Sequence, residues 1–277
     1  MTCWNSAVAK GVRFTSIALV LVASVDLASA EELTKTQLAK LAQNPIANLI
    51  SVPFQNNTNF NVGPYRGVQD ILNIQPVIPV HLNEQWNLIN RTIMPLVFNP
   101  QLSPMVGGVG GLGDVQYEGF LSPAQPGNWI WGLGPIIQLP THTARNLGND
   151  NLGIGPTGVV LHLSHGSPWV FGALVNNVWS VGTSPTDRAY SNGLLEPFVN
   201  YNLEDGIYLV SAPVITMAWL APVNQRLTLP VGGGIGKIFH LGKLPVNAQL
   251  SAYYNVVRPD FGPDWQLRAQ VQFMFPK

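Results

Sequence analysis

The stretch Trp265 to Phe275, WQLRAQVQFMF, sets Leu267, Ala269, Val271, Phe273 and Phe275 on one face of a strand and Gln266, Arg268, Gln270 and Gln272 on the other. A terminal strand that is apolar on one face, polar on the other and closed by an aromatic suits the seam of a membrane-spanning β-barrel, whose wall separates lipid from a wet interior. Similar segments precede it. Runs of period-two alternation or β-rich content, bounded by turn residues, fall at Asn48–Asn56, Gln69–Val80, Gln85–Leu96, Gly113–Leu121, Trp129–Leu139, Gly155–Ser164, Trp169–Val178, Gly193–Tyr201, Ile207–Met217, Leu227–Phe239 and Val246–Val256. With the last strand they predict an all-β, antiparallel up-and-down barrel of about 12 strands. Their lengths suit the ~9–11 residues that a tilted strand needs to cross a bilayer, against ~5–6 for an ordinary soluble strand.

The connections sort by length. Those after even strands, His81 to Glu84, Ser122 to Asn128, His165 to Pro168, Asn202 to Gly206 and His240 to Pro245, are short. Those after odd strands, Asn57 to Val68, Val97 to Leu112, Pro140 to Ile154 and Trp179 to Asn192, are mostly longer and rich in Gly, Asn, Pro and Ser. Short turns at one end and long loops at the other are the asymmetry of a bacterial outer-membrane barrel, and place both chain ends on the periplasmic, short-turn side. A soluble sandwich has no reason to divide its loops in this way.

The first thirty or so residues agree with export. Lys10 and Arg13 form a positive region, Phe14 to Ala23 an apolar core, and Ala28-Ser29-Ala30 a small-x-small cleavage signal, so residues 1–30 read as a signal peptide. The apolar core is shorter than the ~20 residues of a spanning helix, and Asp26 interrupts its end. The single cysteine, Cys3, falls in that peptide, so the exported part offers no disulfide or thiol nucleophile. Charged residues are 10% of the chain and cancel in sign, which offers nucleic acid no basic surface.

The pleat assigns faces. Val115, Tyr117 and Leu121 oppose Asp114, Gln116 and Glu118; Trp129, Trp131, Leu133, Ile137 and Leu139 oppose Gly132, Gly134 and Gln138; Val246, Ala248, Leu250, Ala252 and Tyr254 oppose Asn247, Gln249, Ser251, Tyr253 and Asn255. The first set of each pair is expected to meet lipid and the second to face inward. Trp86, Trp129, Trp169, Trp179, Trp219 and Trp265 stand close to strand ends and read as membrane-interface aromatics. The strands around Trp169–Trp179 and Ile207–Met217 are apolar on both faces and receive no assignment.

An ionised side chain facing hydrocarbon costs about 2–4 kcal/mol near the midplane, so Arg91, Glu118, Glu196 and Arg268 are expected inside. Together with Asp114, Asn200, Asn247, Gln249, Tyr253 and Gln270 they are the candidate pore-lining residues. They either pair across the bore and fill it, or line a path and bias what passes. A barrel of about 12 strands lies between the filled interior of about eight and the open channel of about sixteen, which favours a narrow, side-chain-lined pore. Residues 31–47 precede the first strand and carry Leu33, Leu38, Leu41 and Ala42 before Asn44-Pro45 stops any helix. This segment either plugs the barrel or lies free in the periplasm, and the barrel itself spans 48–277.

Several motifs imitate chemistry. His162-Leu163-Ser164 has the His-x-Ser spacing of some outer-membrane lipid hydrolases. Val159, Leu161 and Leu163 read as the oily face, however, so His162 and Ser164 are expected to point inward, away from lipid. Gly232-Gly233-Gly234-Ile235-Gly236-Lys237 lacks the spacing and the following Ser or Thr of a phosphate loop; glycines that relieve crowding in a barrel wall explain it. The five histidines, His81, His142, His162, His165 and His240, show no metal-ligand spacing. No catalytic residue, cofactor or metal is expected. A non-conducting structural or adhesion barrel remains an alternative.

Particular segments carry a resemblance: Gly111-Leu112-Gly113-Asp114, Trp131 to Pro135, Leu139-Pro140-Thr141, Val175 to Ser180, Pro197 to Tyr201, Pro230 to Gly234, Lys243 to Asn247, Tyr253 to Val256, Arg258-Pro259-Asp260, Trp265 to Arg268 and Phe275-Pro276-Lys277. They resemble a family of bacterial outer-membrane proteins of the phenol meta-pathway type, often labelled "transporter" or "neuromedin U". Glu196 stands where relatives are expected to carry Gln. The resemblance implies a barrel and the passage of small, aromatic or hydrophobic compounds, and supplies no catalytic residues. Expected partners are outer-membrane lipid and lipopolysaccharide, the barrel-assembly machinery through Leu267 to Phe275, and a small-molecule solute.

Overall fold

The computed structural model describes residues 34–105, 107–164, 166–182 and 188–276. The expected signal peptide, Leu33, His165 and the closing Lys277 lie outside the described residues. After one helix, α1 (Lys35–Ala42), come β1 (Ile50–Val62), β2 (Gly67–Ile74), β3 (Val77–His81), β4 (Trp86–Asn99), β5 (Val109–Leu112), β6 (Val115–Pro123), β7 (Trp129–Leu139), β8 (Leu152–Leu163), β9 (Trp169–Val181), β10 (Ser191–Asn202), β11 (Ile207–Ser211), β12 (Ile215–Ala218), β13 (Leu227–Leu241), β14 (Leu244–Val257) and β15 (Trp265–Phe275).

All pairings are antiparallel, and the sheet closes where β15 meets β1, from Ile50 opposite Phe275 to Phe60 opposite Trp265. β2 and β3 share one stave, β5 and β6 a second, β11 and β12 a third, because the members of each couple pair with a common neighbour. That makes a closed barrel of 12 staves. Closure leaves no strand edge open for pairing.

Strands β7 and β15 have the bounds expected from alternation; each of the others runs past its expected bounds at one end or both, while β1 and β4 begin one or two residues later and β8 ends one residue earlier than expected. The clearest correction is at Asn57 to Val68, expected as a loop. Most of it is wall, with Thr58 opposite Asp70 and Asn59 opposite Gln69, and only residues 63–66 turn the chain. Thr58 Oγ1 donates to Asp70 Oδ1 at 2.7 Å and Asn59 Nδ2 to Gln69 Oε1 at 2.9 Å. Cross-strand polar pairs let a strand continue past an apolar belt into water at little cost. The other links keep the division into short and long: 82–85, 124–128, 203–206 and 242–243 at one end, and 100–108, 140–151, 219–226 and 258–264 at the other.

The outer wall is apolar. Leu133, Val175, Leu209, Leu250 and Val256 are each at least half exposed on it. At the short-turn end stand Trp86, Trp129 and Trp169, Trp86 edge-on to Trp131 and Trp169 edge-on to Tyr201. At the long-loop end Trp265 stacks on Phe60 at 4.0 Å, with Trp179 and Trp219 also exposed. Two aromatic belts bounding an apolar band about 25 Å tall are the surface a barrel presents to a bilayer. Val246, expected on this face, is buried because Phe239 and Phe273 flank it in register.

The interior of the short-turn end is a packed core. Thr34 caps α1: Gln37 N donates to Thr34 Oγ1 and Thr34 N donates to Gln37 Oε1, which satisfies two free amides of the first turn. Leu38 and Ala39 are buried with Ala47, Leu49, Tyr208, Ile238 and Met274. Ile46 joins a second cluster with Val77, Ile89, Phe120, Ile130, Val159, Leu161, Val170 and Leu174. Burying side chains of this size stabilises by roughly 1.5–3 kcal/mol each, so the N-terminal segment is held as part of the fold.

Candidate functional site

Above that core lies a chamber of about 140 Å³, bounded below by Gln43, Asn44 and Pro45 and around its wall by Arg91, Glu196, Asn200, Asn247, Gln249, Arg268 and Gln270. Val77, Leu174, Phe198 and Val210 line the same space, set among the polar groups: Val77 stands opposite Arg91, Leu174 opposite Glu196 and Val210 opposite Asn200. Seven of the expected pore-lining residues thus share one cavity, and three do not reach it. Glu118 is sealed behind Arg91, Tyr253 is buried beside Arg268, and Asp114 stands at the long-loop mouth.

The chamber's charges are paired. Arg91 Nη1 lies 3.2 Å from Glu118 Oε2, while Arg91 Nη2 donates to Gln75 Oε1 at 2.6 Å. The other Glu118 oxygen accepts from Thr157 Oγ1 and Asn176 Nδ2, both at 3.1 Å. Arg268 donates to Asn57 Oδ1 at 3.1 Å and to the Ala212 carbonyl at 2.9 Å, stacks over Tyr253 at 4.9 Å, and stands 3.8 Å from Glu196. Glu196, at 3.8 Å from Arg268, makes the loosest of these contacts.

Asp114 lines a separate cavity at the long-loop end with Gln116 and Gln138, and it also holds a loop. His142 Nδ1 is 2.7 Å from its Oδ1, Asn149 N donates to Oδ2 at 2.7 Å, and His142 Nε2 lies 3.3 Å from Asp150. These bonds tie the loop 140–151 to the start of β6. Burial, and then the Asp114 carboxylate, push the nearby Tyr190 phenol up to about 12. Sequence reasoning missed His142, since it is far along the chain from Asp114 and nothing local marks the pair.

Below the chamber the N-terminal segment is tied to the rim. Gln43 and Asn202 exchange amide hydrogen bonds at 2.8 and 3.1 Å, and Lys40 Nζ donates to the Ser164 carbonyl at 2.8 Å.

The His162 expectation is overturned. Val159 and Leu161 are buried in the inner core, and Leu163 packs against it. His162 therefore faces outward, its ring stacked at 5.2 Å on Phe171 and edge-on to Trp129 at 5.0 Å, with Nδ1 buried and without a partner. The oily face pointed inward because the plugged end needs a dry interior to receive Ile46 and Phe120. The same demand explains Val170 and Leu174 of β9, which join that core; Val178 is buried nearer the long loops, and Trp169, Phe171, Val175 and Trp179 face out. Among the described residues no group of three His, Cys, Asp or Glu side chains is placed to hold a metal ion.

Neither a family model nor a curated protein matches this sequence. Among solved structures the chain is similar to an outer-membrane channel from Pseudomonas putida F1, with a TM-score of 0.60 and 14% identity over 82% of this chain and 93% of that one. It is also similar to the NanC porin, with a TM-score of 0.50 and 10% identity over 82% and 100% of the two chains. Outer-membrane phospholipase A from Escherichia coli follows at a TM-score of 0.42 and 12% identity, over 82% and 96%. At these identities the likeness is one of fold.

Proposed function

We propose that this chain is a passive outer-membrane channel for small solutes, aromatic or hydrophobic compounds with one polar edge, and that it performs no chemistry of its own. The observation that carries the reading is the chamber: a closed cylinder with an apolar exterior encloses a cavity lined by Phe198, Leu174 and Val77 together with Arg268, Glu196 and side-chain amides. Such a mixed lining meets both the apolar and the polar parts of an amphipathic solute, while balanced charges hold neither ion strongly. Similarity to solved proteins that are called a channel and a porin supports it, as does the resemblance to the phenol meta-pathway family.

In this reading the chain is exported, cleaved near Ala30, and delivered to the assembly machinery through Leu267 to Phe275. It sits in lipid and lipopolysaccharide with its short turns in the periplasm, and the segment 34–49 is a periplasmic plug. Planar-bilayer recording of the refolded protein tests it: discrete conductance, reduced by a small aromatic acid added to one side, is expected, and a folded but silent barrel would count against it. A Ser164→Ala protein that lost lipid-ester hydrolysis present in the parent would overturn the absence of chemistry.

A further inference from the structure

The chamber's formal charges cancel, but they are not equally open to a solute. Each nitrogen of the Arg268 guanidinium donates within the wall: Nε to Asn57 Oδ1 at 3.1 Å, Nη1 to the Ala212 carbonyl at 2.9 Å and Nη2 to Gln266 Oε1 at 3.4 Å. Only 4% of its side chain is exposed, and Tyr253 lies under the fork at 4.9 Å. Arg91 holds Glu118 through Nη1 and Gln75 through Nη2. A carboxylate entering the chamber would have to displace these partners and leave a buried carbonyl, amide or carboxylate unpaired, which opposes its binding.

Glu196 is the opposite case. Its side chain is 24% exposed and its cation, Arg268 Nη1, stands 3.8 Å away, beyond hydrogen-bond reach. Among the described residues no hydrogen bond reaches its carboxylate. Its surroundings are apolar: Leu174 stands opposite on β9, and Phe198 follows on the same face of β10. The Phe198 ring has a seat of its own. A Cβ on Gly172, the residue paired with Phe198, would lie 2.7 Å from the ring's Cζ, so the glycine lets the ring lie against β9, where it packs on the inner core. Two residues along a strand span roughly 7 Å, so the acceptor and the ring are within reach of one small molecule.

We propose that this corner selects small aromatic or apolar amines, taken up as ammonium ions, over carboxylic acids of the same size. Glu196 accepts a charge-assisted hydrogen bond from the ammonium, and Phe198 and Leu174 meet its apolar body. The face of the Phe198 ring adds attraction for the cation. Selection arises because the two guanidiniums are already bound to the wall, while the exposed carboxylate is not. The proposal rests on the channel reading and names the solute class that the chamber favours.

The test compares benzylamine with benzoate as blockers of the current through the refolded protein in planar bilayers at neutral pH. Benzylamine is expected to act at roughly tenfold lower concentration, the effect of one charge-assisted hydrogen bond. Glu196→Gln keeps the shape and removes the charge, so it should bring the two blockers together and leave conductance in place. Phe198→Leu should weaken block by benzylamine and leave that by benzoate unchanged. Equal potency of the two in the parent, or a difference that survives Glu196→Gln, would overturn the proposal and leave the channel reading standing. A silent barrel would overturn the channel reading, and calorimetry on the protein in detergent micelles then decides the site by itself. Binding of benzylamine that Glu196→Gln abolishes would support the site, and no binding to the parent would overturn it.

Discussion

Arg91 and Glu118 meet at 3.2 Å across neighbouring strands inside the barrel, with Glu118 almost wholly buried and its second oxygen held by Thr157 and Asn176. An ion pair of this kind is costly to break from one side, because the remaining charge stays buried. Arg91→Gln is expected to destabilise the barrel by about 3–5 kcal/mol, and Arg91→Gln with Glu118→Gln to return most of the loss. Denaturant unfolding in detergent micelles measures both, and a double variant no more stable than the single one would show that the pair is not the source.

The N-terminal segment sets a second expectation. Leu38 is buried among Tyr208, Ile238 and Met274, so Leu38→Asp replaces a favourable burial with a desolvated carboxylate. The segment should then leave the bore, and single-channel conductance should rise at least about twofold, as when an obstruction leaves a narrow lumen. Unchanged conductance would mean that solutes do not pass this segment.

Glycines in β13 give a third. A Cβ on Gly234 would stand 2.0 Å from the Leu250 carbonyl oxygen, and one on Gly232, at φ +157°, 2.0 Å from that of Ala252. Gly234→Ala must push β14 away and is expected to cost about 1–3 kcal/mol. Gly107→Ala has nothing within 4 Å and should stay within about 0.5 kcal/mol of the parent. Equal midpoints for the two variants would remove crowding as the reason for the glycine run.

These residues also show what could be read from sequence. The wall was legible because alternation, strand length and loop asymmetry all follow from one requirement, an apolar outside around a closed sheet. Arg268, Gln270, Asn247 and Gln249 were legible for the same reason: charge and amide avoid hydrocarbon. His162 was not, since the rule that oily means outward fails where the interior is itself dry. Whether the interior is dry depended on Ile46 and Leu38 entering the barrel, a long-range fact that no local pattern around β8 contains. The His142–Asp114 clamp is likewise a product of long-range folding.

Asp264 supplies the pH dependence. It ties the first hairpin to the last loop, accepting from Arg66 Nη2 and Asn61 Nδ2 at 2.8 Å each and pairing with Arg258 through its other oxygen. Desolvation pushes this carboxyl up, but Arg66, Arg258 and Asn61 together outweigh it and hold the group below the usual carboxylate range. With the folded pKa under the unfolded one, the unfolded chain takes up the proton first. The contribution to stability is therefore fully present above about pH 4 and is lost as pH falls through the folded value. Amide protection in residues 63–66 and 258–264 is expected to hold at neutral pH and to fall in acid. Asp264→Asn should show the lowered protection already at neutral pH, with no further acid loss from this site. Hydrogen exchange read by mass spectrometry decides it: protection in the Asn variant equal to that of the parent at neutral pH would mean that the two arginines do not hold the loops through this carboxylate.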